Sequence, residues 1–334
     1  MGALITQRLL ERGESVTMLD VWEDPRRIEQ LKAATFLQGD VCDRVAVAEA
    51  MRGVAVVHHT AALVPLSKAG NLFRRVNVEG SRIVAEEAVR AGAQVFVHMS
   101  SSAIYGGHPP GPITAQTLCS PVEVYGRSKL DGEMAVREIC EKAGLPLIVV
   151  RPRTILGFGR LGIFKILFDW IREGRAVYVI GDGNILYQFV HAHDLMTAYM
   201  TAIDRGRAGV FNVGTDRFGT LRELLEHLIV HSGTSSRVRS LPESLTIGGL
   251  RFLDRLGLSP LAPWHYLTYH KELYFDVAPL LAMGWKPKYS NDEMFRETYD
   301  WFIANYETLR QEGQGGANSS PVKEGVLWLL KKLS

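Results

Sequence analysis

Gln94-Val95-Phe96-Val97-His98-Met99-Ser100-Ser101-Ser102 is the stretch on which the fold turns. Its apolar run is short, rich in β-branched and aromatic residues, and closed by small polar ones. A half-buried strand would alternate apolar and polar positions, so a nearly unbroken run predicts a strand covered on both faces. Similar runs lie on either side. Ser15–Leu19 closes on Asp20, Ala34–Gln38 leads into Gly39-Asp40, and Val54–His59 and Leu145–Arg151 follow. Between them the spacing turns helical, over Ala3–Arg12, Asn77–Ala91 and Val124–Ala143. Doubly covered strands that alternate with helices predict an α/β fold, a doubly wound parallel sheet with helices on both faces.

The second half is less regular. Phe164–Arg172 and Leu221–His231 read as helices, Gly181-Asp182-Gly183 as a turn, Val210–Val213 as a strand and Ser259–Pro263 as a loop. Gln311–Ser320 has the composition of a linker, and Val322–Leu333 the pattern of a short amphipathic helix. The expected organisation is a Rossmann-like dinucleotide-binding domain over 1–155, with a later return near 186–215. A smaller α/β region for substrate covers 156–305, and the linker and tail helix occupy 306–334.

Composition excludes several classes. The 334 residues are 46% hydrophobic and 22% charged, values of a globular chain. Lys plus Arg number 38 against 36 for Asp plus Glu, which leaves no strong field for nucleic acid or an anionic membrane. No apolar run approaches the roughly 20 residues of a membrane-spanning helix. Three scattered cysteines, Cys42, Cys119 and Cys140, suit neither a disulfide framework nor a zinc site, and a reducing, cytoplasmic location is expected. His191 and His193 share one face of an expected strand, but no further ligands accompany them, so no metal is expected. His58-His59 reads as a sheet-end feature and Trp264-His265-Tyr266 as packing.

The start of the chain has its own reading. A doubly wound domain opens with a central strand and a glycine-rich turn, which brings backbone N–H groups to a pyrophosphate at a helix N-terminus. Here Gly2 stands where the last glycine of that turn belongs, ahead of Ala3-Leu4-Ile5. Roughly ten residues of strand and turn are therefore expected upstream. Without them two strand edges would be left unpaired.

Tyr125-Gly126-Arg127-Ser128-Lys129 carries the chemistry. Spacing of four on a helix puts Tyr125 and Lys129 on one face. A tyrosine is a poor base at neutral pH, and a neighbouring ammonium is expected to lower its pKa. The serines after Met99 fall at the C-terminal end of a parallel strand, where such sheets bind ligands.

These motifs resemble the extended short-chain dehydrogenase/reductase superfamily, in its NAD-dependent epimerase/dehydratase branch. The likeness runs from Gly2 to about Asn305. Gly39-Asp40-Val41-Cys42-Asp43, Val57-His58-His59-Thr60-Ala61-Ala62 and Val76-Asn77-Val78-Glu79-Gly80 fall in the family's order. The serine run, the Tyr-Lys pair and Arg151-Pro152 come next, followed by Phe189-Val190-His191 and Gly284-Trp285-Lys286-Pro287. The resemblance implies NAD as cofactor. It makes Tyr125 the general acid/base and Lys129 its partner and ribose ligand, and it selects Ser101 as the hydrogen-bonding serine. Ser102 is the alternative, and a possible substrate contact. Asp20 would take the adenosine ribose, with Glu23 and Asp24 disfavouring a 2′-phosphate and Arg26 and Arg27 opposing them. Asp40 and Val41 would meet adenine, Ala61, Ala62 and Leu63 would line the cofactor path, and Asn77 would brace the loops. Gly2 and Pro152 would complete the cofactor site. A homodimer through the helix of the Tyr-Lys pair is expected by the same analogy.

The sequence also departs from the family. Nucleotide-sugar epimerases place an arginine shortly before the Phe-Val-His segment and another later. Here Tyr187 and Gln188 occupy the first position, and Tyr269-His270-Lys271-Glu272 the second. Thr154 and Lys271 remain candidate substrate contacts. The implied activity is hydride transfer between NAD and a carbinol carbon of a small-molecule substrate, in the first place a nucleotide sugar. Epimerase, dehydratase and dehydrogenase outcomes stay open. A 3β-hydroxysteroid-dehydrogenase-like oxidation of a hydroxy-lipid and a non-catalytic NAD sensor are the alternatives.

Overall fold

The computed structural model describes residues 1–22, 29–64, 70–106, 111–255, 259 and 263–311. Expectations for Glu23, Asp24, Arg26 and Arg27, for most of the 259–263 loop, for the side chains of Trp264 and His265, and for the linker and tail helix lie outside the described residues.

The described strands are β1 (Thr17–Asp20), β2 (Thr35–Gln38), β3 (Val56–His59), β4 (Val95–Met99) and β5 (Leu147–Pro152), then β6 (Ile155–Leu156), β7 (Val177–Ile180), β8 (Val190–His191), β9 (Gly209–Val213) and β10 (Val238–Leu241). All named pairings are parallel. The main sheet has the order β3-β4-β5-β9, and β1 pairs with β2 in a sheet of its own. Among the described residues no strand precedes Thr17, and no ladder joins β1 to β3. Two smaller pairs, β6-β8 and β7-β10, belong to the second half.

Burial explains the main sheet. β4 and β5 are buried at nearly every position. Phe96 and Val57 pack on one side with Val84, Ala88, Val136 and Cys140. Val97, Met99, Ile148 and Val150 face the other side and join the larger core. This period-two division across a doubly covered sheet is what the unbroken apolar runs encode. Placing β9 beside β5, with Pro152 opposite Val213, brings the chain back from the second half into the first sheet.

The helix Val124–Ala143 matches its expected span. Glu123 begins it, accepting from the backbone of Tyr125 at 2.7 Å and Gly126 at 2.6 Å, and Gly144 ends it in a left-handed conformation. Two glycines let it dock tightly. A Cβ on Gly126 would stand 2.5 Å from the Ala103 carbonyl oxygen, and one on Gly132 only 2.0 Å from that of Asn77.

The expected helix Asn77–Ala91 differs in detail. Helix begins at Leu72, passes through a π-helical turn over Arg75–Gly80, and continues as Ser81–Arg90. The wider turn carries Asn77 inward, against the docked helix. A strand-to-helix junction, which the resemblance implies for this segment, separates His191 from His193. His191 ends β8, and its Nδ1 accepts from the His193 backbone N–H at 3.2 Å, which caps the helix Ala192–Asp204.

Candidate active site

In a parallel sheet every strand delivers its following residues to the same edge. Asp20 ends β1. Gly39-Asp40 follow β2, Thr60–Leu63 follow β3, Ser100–Ser102 follow β4, and Pro152 ends β5 ahead of Arg153 and Thr154. Within the four-stranded sheet the residues after β3, β4 and β5 therefore share one edge by topology, while Asp20 and Gly39-Asp40 follow the strands of the separate β1-β2 pair.

The docked helix completes the centre. Tyr125 is buried, edge-to-face with Phe73 at 5.9 Å, and its phenol is hydrogen-bonded to Ser101. Ser101 Oγ also accepts from the Ala103 N–H at 3.2 Å, which holds it at the mouth of a short 3-10 turn over Ser102–Tyr105. Ser101, the serine selected from the sequence, meets the tyrosine. Ser102 is buried within the turn. Lys129 is only 3% exposed, and its Nζ donates to the Met99 carbonyl at 2.7 Å.

One expectation is corrected. The lysine was expected to lower the Tyr125 pKa, whereas burial pushes this phenol up to about 12, with Ser101 opposing and Glu123 adding to the rise. The Lys129 ammonium is held by the strand-end carbonyl of Met99, and desolvation of the phenol sets the direction of its shift. Burial also lowers Lys129 to about 8, against a partial rise from Glu133.

Asn77, for which the resemblance implies a bracing role, is buried with all its side-chain bonds inside the protein. Its Oδ1 accepts from Leu63 N–H at 2.8 Å, and its Nδ2 donates to Leu63 O at 3.2 Å and to Ser128 Oγ at 3.0 Å. Ser128 in turn donates to the Tyr125 carbonyl at 2.7 Å. One side chain thus ties the loop after β3 to the helix of Tyr125 and Lys129.

Sequence reasoning missed Glu133. It lies one further turn along the same helical face, and it is buried in an ion pair with Arg151, whose Nε is 3.0 Å from Glu133 Oε2. Arg151 also reaches the Tyr105 hydroxyl. An acid spaced four residues after Lys129 was the available signal.

The remaining candidates are more dispersed. Asp20 is exposed, and its Oδ1 accepts from Trp22 N–H at 3.2 Å. Asp40 takes Cys42 N–H at 2.9 Å and Arg75 at 3.1 Å, while Val41 is buried beneath Gly80. Thr154 is hydrogen-bonded to Tyr269. Lys271 is exposed, and its backbone N–H donates to the Thr268 carbonyl at 3.0 Å. The histidines are structural: His58 pairs with the Tyr199 hydroxyl at 2.8 Å and His59 with Ser81 Oγ at 2.8 Å. No cluster of metal-ligating side chains occurs among the described residues.

The strand-end edge fits a dinucleotide. The helix Gly2–Glu11 starts beside the end of β3, since a Cβ on Gly2 would lie 3.3 Å from Thr60 Oγ1, and no side chain caps its first turn. A glycine at the positive end of a helix suits a pyrophosphate. An acid at the end of β1 suits a ribose diol, and a buried ammonium beside a tyrosine suits the second ribose and the reacting centre.

The comparisons agree with this geometry. Residues 1–214 match the model of the NAD dependent epimerase/dehydratase family. A Sinorhizobium fredii protein, y4nG, is 41% identical over 330 residues, covering 98% of this chain and 82% of that one. The mouse sterol-4-alpha-carboxylate 3-dehydrogenase, decarboxylating, is 28% identical over 86% of this chain and 74% of its own. Among solved structures, UDP-glucose 4-epimerase of Thermotoga maritima superposes with a TM-score of 0.75 at 21% identity, over 91% of this chain and 96% of that one. DesIV, a dTDP-glucose 4,6-dehydratase of Streptomyces venezuelae with NAD bound, gives 0.73 at 22% identity, over 92% and 95%. The chain belongs to the NAD-dependent epimerase/dehydratase family. It is an enzyme of the extended short-chain dehydrogenase/reductase type, and its cofactor is NAD.

Proposed function

We propose that this enzyme oxidises a secondary alcohol by hydride transfer to NAD, with Tyr125 as general acid/base. The observation that carries the reading is the buried constellation of Ser101, Tyr125 and Lys129 at the strand-end edge, with the phenol already bonded to Ser101. NAD, when bound, would supply the hydride acceptor. Ser101 holds the substrate oxygen in line with Tyr125, which takes the hydroxyl proton as the carbinol C–H bond breaks. Lys129 would hold the nicotinamide ribose. Asn77 keeps the Leu63 loop and the catalytic helix in register. Gly2, Asp20, Asp40, Val41, Ala61, Ala62, Leu63 and Pro152 form the dinucleotide path, and the region over 156–305 faces the substrate.

A nucleotide sugar is the first substrate class, in keeping with the dTDP-glucose dehydratase and UDP-glucose epimerase among the similar structures. A hydroxy-lipid is the second, and a specific observation favours it. Tyr187 and Gln188 are fully buried, and Gln188 is committed to Thr215 O at 2.6 Å and to Phe275 N–H at 2.9 Å. That segment therefore offers no cation to a diphosphate. A relative acting on a sterol carboxylate points the same way.

Tyr125→Phe tests the reading. With a panel of nucleotide sugars and hydroxysteroids, turnover followed by NADH absorbance should fall by about 100-fold or more, as expected for loss of a general acid/base. NAD affinity should be retained. Unchanged turnover in this variant would refute the assignment.

A further inference from the structure

Arg153 stands out among the described buried side chains. It follows Pro152 at the strand-end edge, is 1% exposed, and is the largest fully buried side chain described. Its Nε donates to Gln188 O at 2.9 Å. Its guanidinium lies over the ring of Tyr187, 4.9 Å from the centroid, and 5.6 Å from that of Phe275. Nη1 and Nη2 make no hydrogen bond of standard geometry among the described residues, and the Tyr187 phenol is the one polar side chain that acts on them as a partner. Burial disfavours the guanidinium's charge, and the groups that oppose this are the phenols of Tyr187, which also acts as a hydrogen-bond partner, and Tyr269, with no carboxylate among them.

An arginine keeps its charge even when buried, and a buried cation without an anion is costly. Protein interiors leave few such groups unsatisfied, so one at a ligand-binding edge calls for a partner. The contrast with Arg151 is instructive. Two residues earlier on the chain, that guanidinium is paired with Glu133 and spent on structure. Arg153 has aromatic rings where Arg151 has an acid. The rings hold the guanidinium plane by cation–π contact and leave its fork of N–H donors without an anion.

The position matters as well. Tyr187 and Gln188 stand where the family pattern has an arginine, and Arg153 reaches both from the connection between β5 and β6. Thr154, next in the chain, is bonded to Tyr269, so the neighbouring polar groups belong to the substrate-facing half.

The geometry points to Arg153 as the anchor for an anionic oxygen group, carboxylate or phosphate, on the substrate. This rests on the carbinol-oxidation reading and narrows it: the alcohol carries an acid, and the acid is gripped close to the reacting end of the site. A neutral sterol would leave the cation unpaired.

The test uses the full chain loaded with NAD and three probes: pyrophosphate, UDP and 2-hydroxycyclohexanecarboxylate. Calorimetric titration should show binding of at least one. Arg153→Met should weaken it about 10- to 100-fold, the size of one charge-assisted contact. Arg153→Lys keeps charge and bulk but loses the fork, so it should fold and recover part of the affinity. Binding of the phosphates alone identifies a phosphorylated substrate, and binding of the hydroxy acid alone a carboxylate. Where turnover is found, Arg153→Lys should raise KM for the acidic substrate and leave kcat nearly unchanged. No binding by any probe, or equal binding by wild type and both variants, would overturn the inference. The two readings fail separately. Arg153-dependent anion binding without Tyr125-dependent turnover would remove the carbinol reading alone. Tyr125-dependent turnover with Arg153-independent binding would remove this one.

Discussion

Lys129→Met should make the protein more stable at neutral pH while removing its activity, and the structure sets the size of the effect. Lys129 is buried, and its pKa falls from 10.5 to about 8 because burial disfavours the charged form. At about 1.36 kcal/mol per unit, the ammonium costs the fold about 3 kcal/mol wherever it stays protonated in both states. The sign follows from proton counting. Between pH 8 and 10.5 the unfolded chain holds the proton and the folded chain does not, so stability rises with pH across that window. Below pH 8 the cost is fully present. The hydrogen bond to Met99 O offsets part of it, by roughly 1–2 kcal/mol.

Urea denaturation of wild type and Lys129→Met, both without dinucleotide, would measure this from pH 7 to 9.5. Other groups titrate in the range, among them Cys140, whose thiol burial pushes up to about 11. The difference between the two proteins isolates the lysine. That difference should shift in favour of wild type by about 2 kcal/mol over the range. Parallel stability curves would show that the ammonium is solvated and that the buried pairing described here is wrong.

Gly132→Ala should act on both stability and catalysis. Its Cβ would meet the Asn77 carbonyl oxygen at 2.0 Å, backbone against backbone, so the catalytic helix must shift. A loss of about 1–3 kcal/mol in denaturant unfolding is expected, with a fall in kcat; wild-type values for both would remove the tight docking from the account. Glu133→Gln leaves the buried Arg151 guanidinium without its counter-charge and should cost about 3–5 kcal/mol. Although burial raises the Glu133 carboxyl, its bond to Arg151 outweighs this and holds it below the ordinary range. The pair's contribution is therefore present above the unfolded pKa and lost on acidification. The variant should unfold with a flatter dependence below pH 5, and an unchanged acid limb would contradict this.

Much of the fold is legible in local pattern. Unbroken apolar runs mark β4 and β5 because a strand covered on both faces needs no polar positions. Helix limits at Val124 and Ala143 are written in a capping acid and a terminal glycine. The Asn77 segment was less legible. A π-helical turn has no local signature here, and it forms where the Gly132 contact draws the backbone in. The two histidines at 191 and 193 looked equivalent by spacing, yet a helix starts between them.

The sequence by itself determined which residues follow each strand and that Tyr125 and Lys129 share a helix face, since both depend only on spacing along one element. Tertiary structure decided what those groups experience. Burial raises the Tyr125 phenol instead of lowering it, because desolvation depends on everything packed around a group. It also decided the opposite fates of Arg151 and Arg153: one meets an acid from the Val124–Ala143 helix, and the other meets two aromatic rings from distant segments. Neighbours that converge from far along the chain set charge and hydrogen bonding, and no local spacing encodes them.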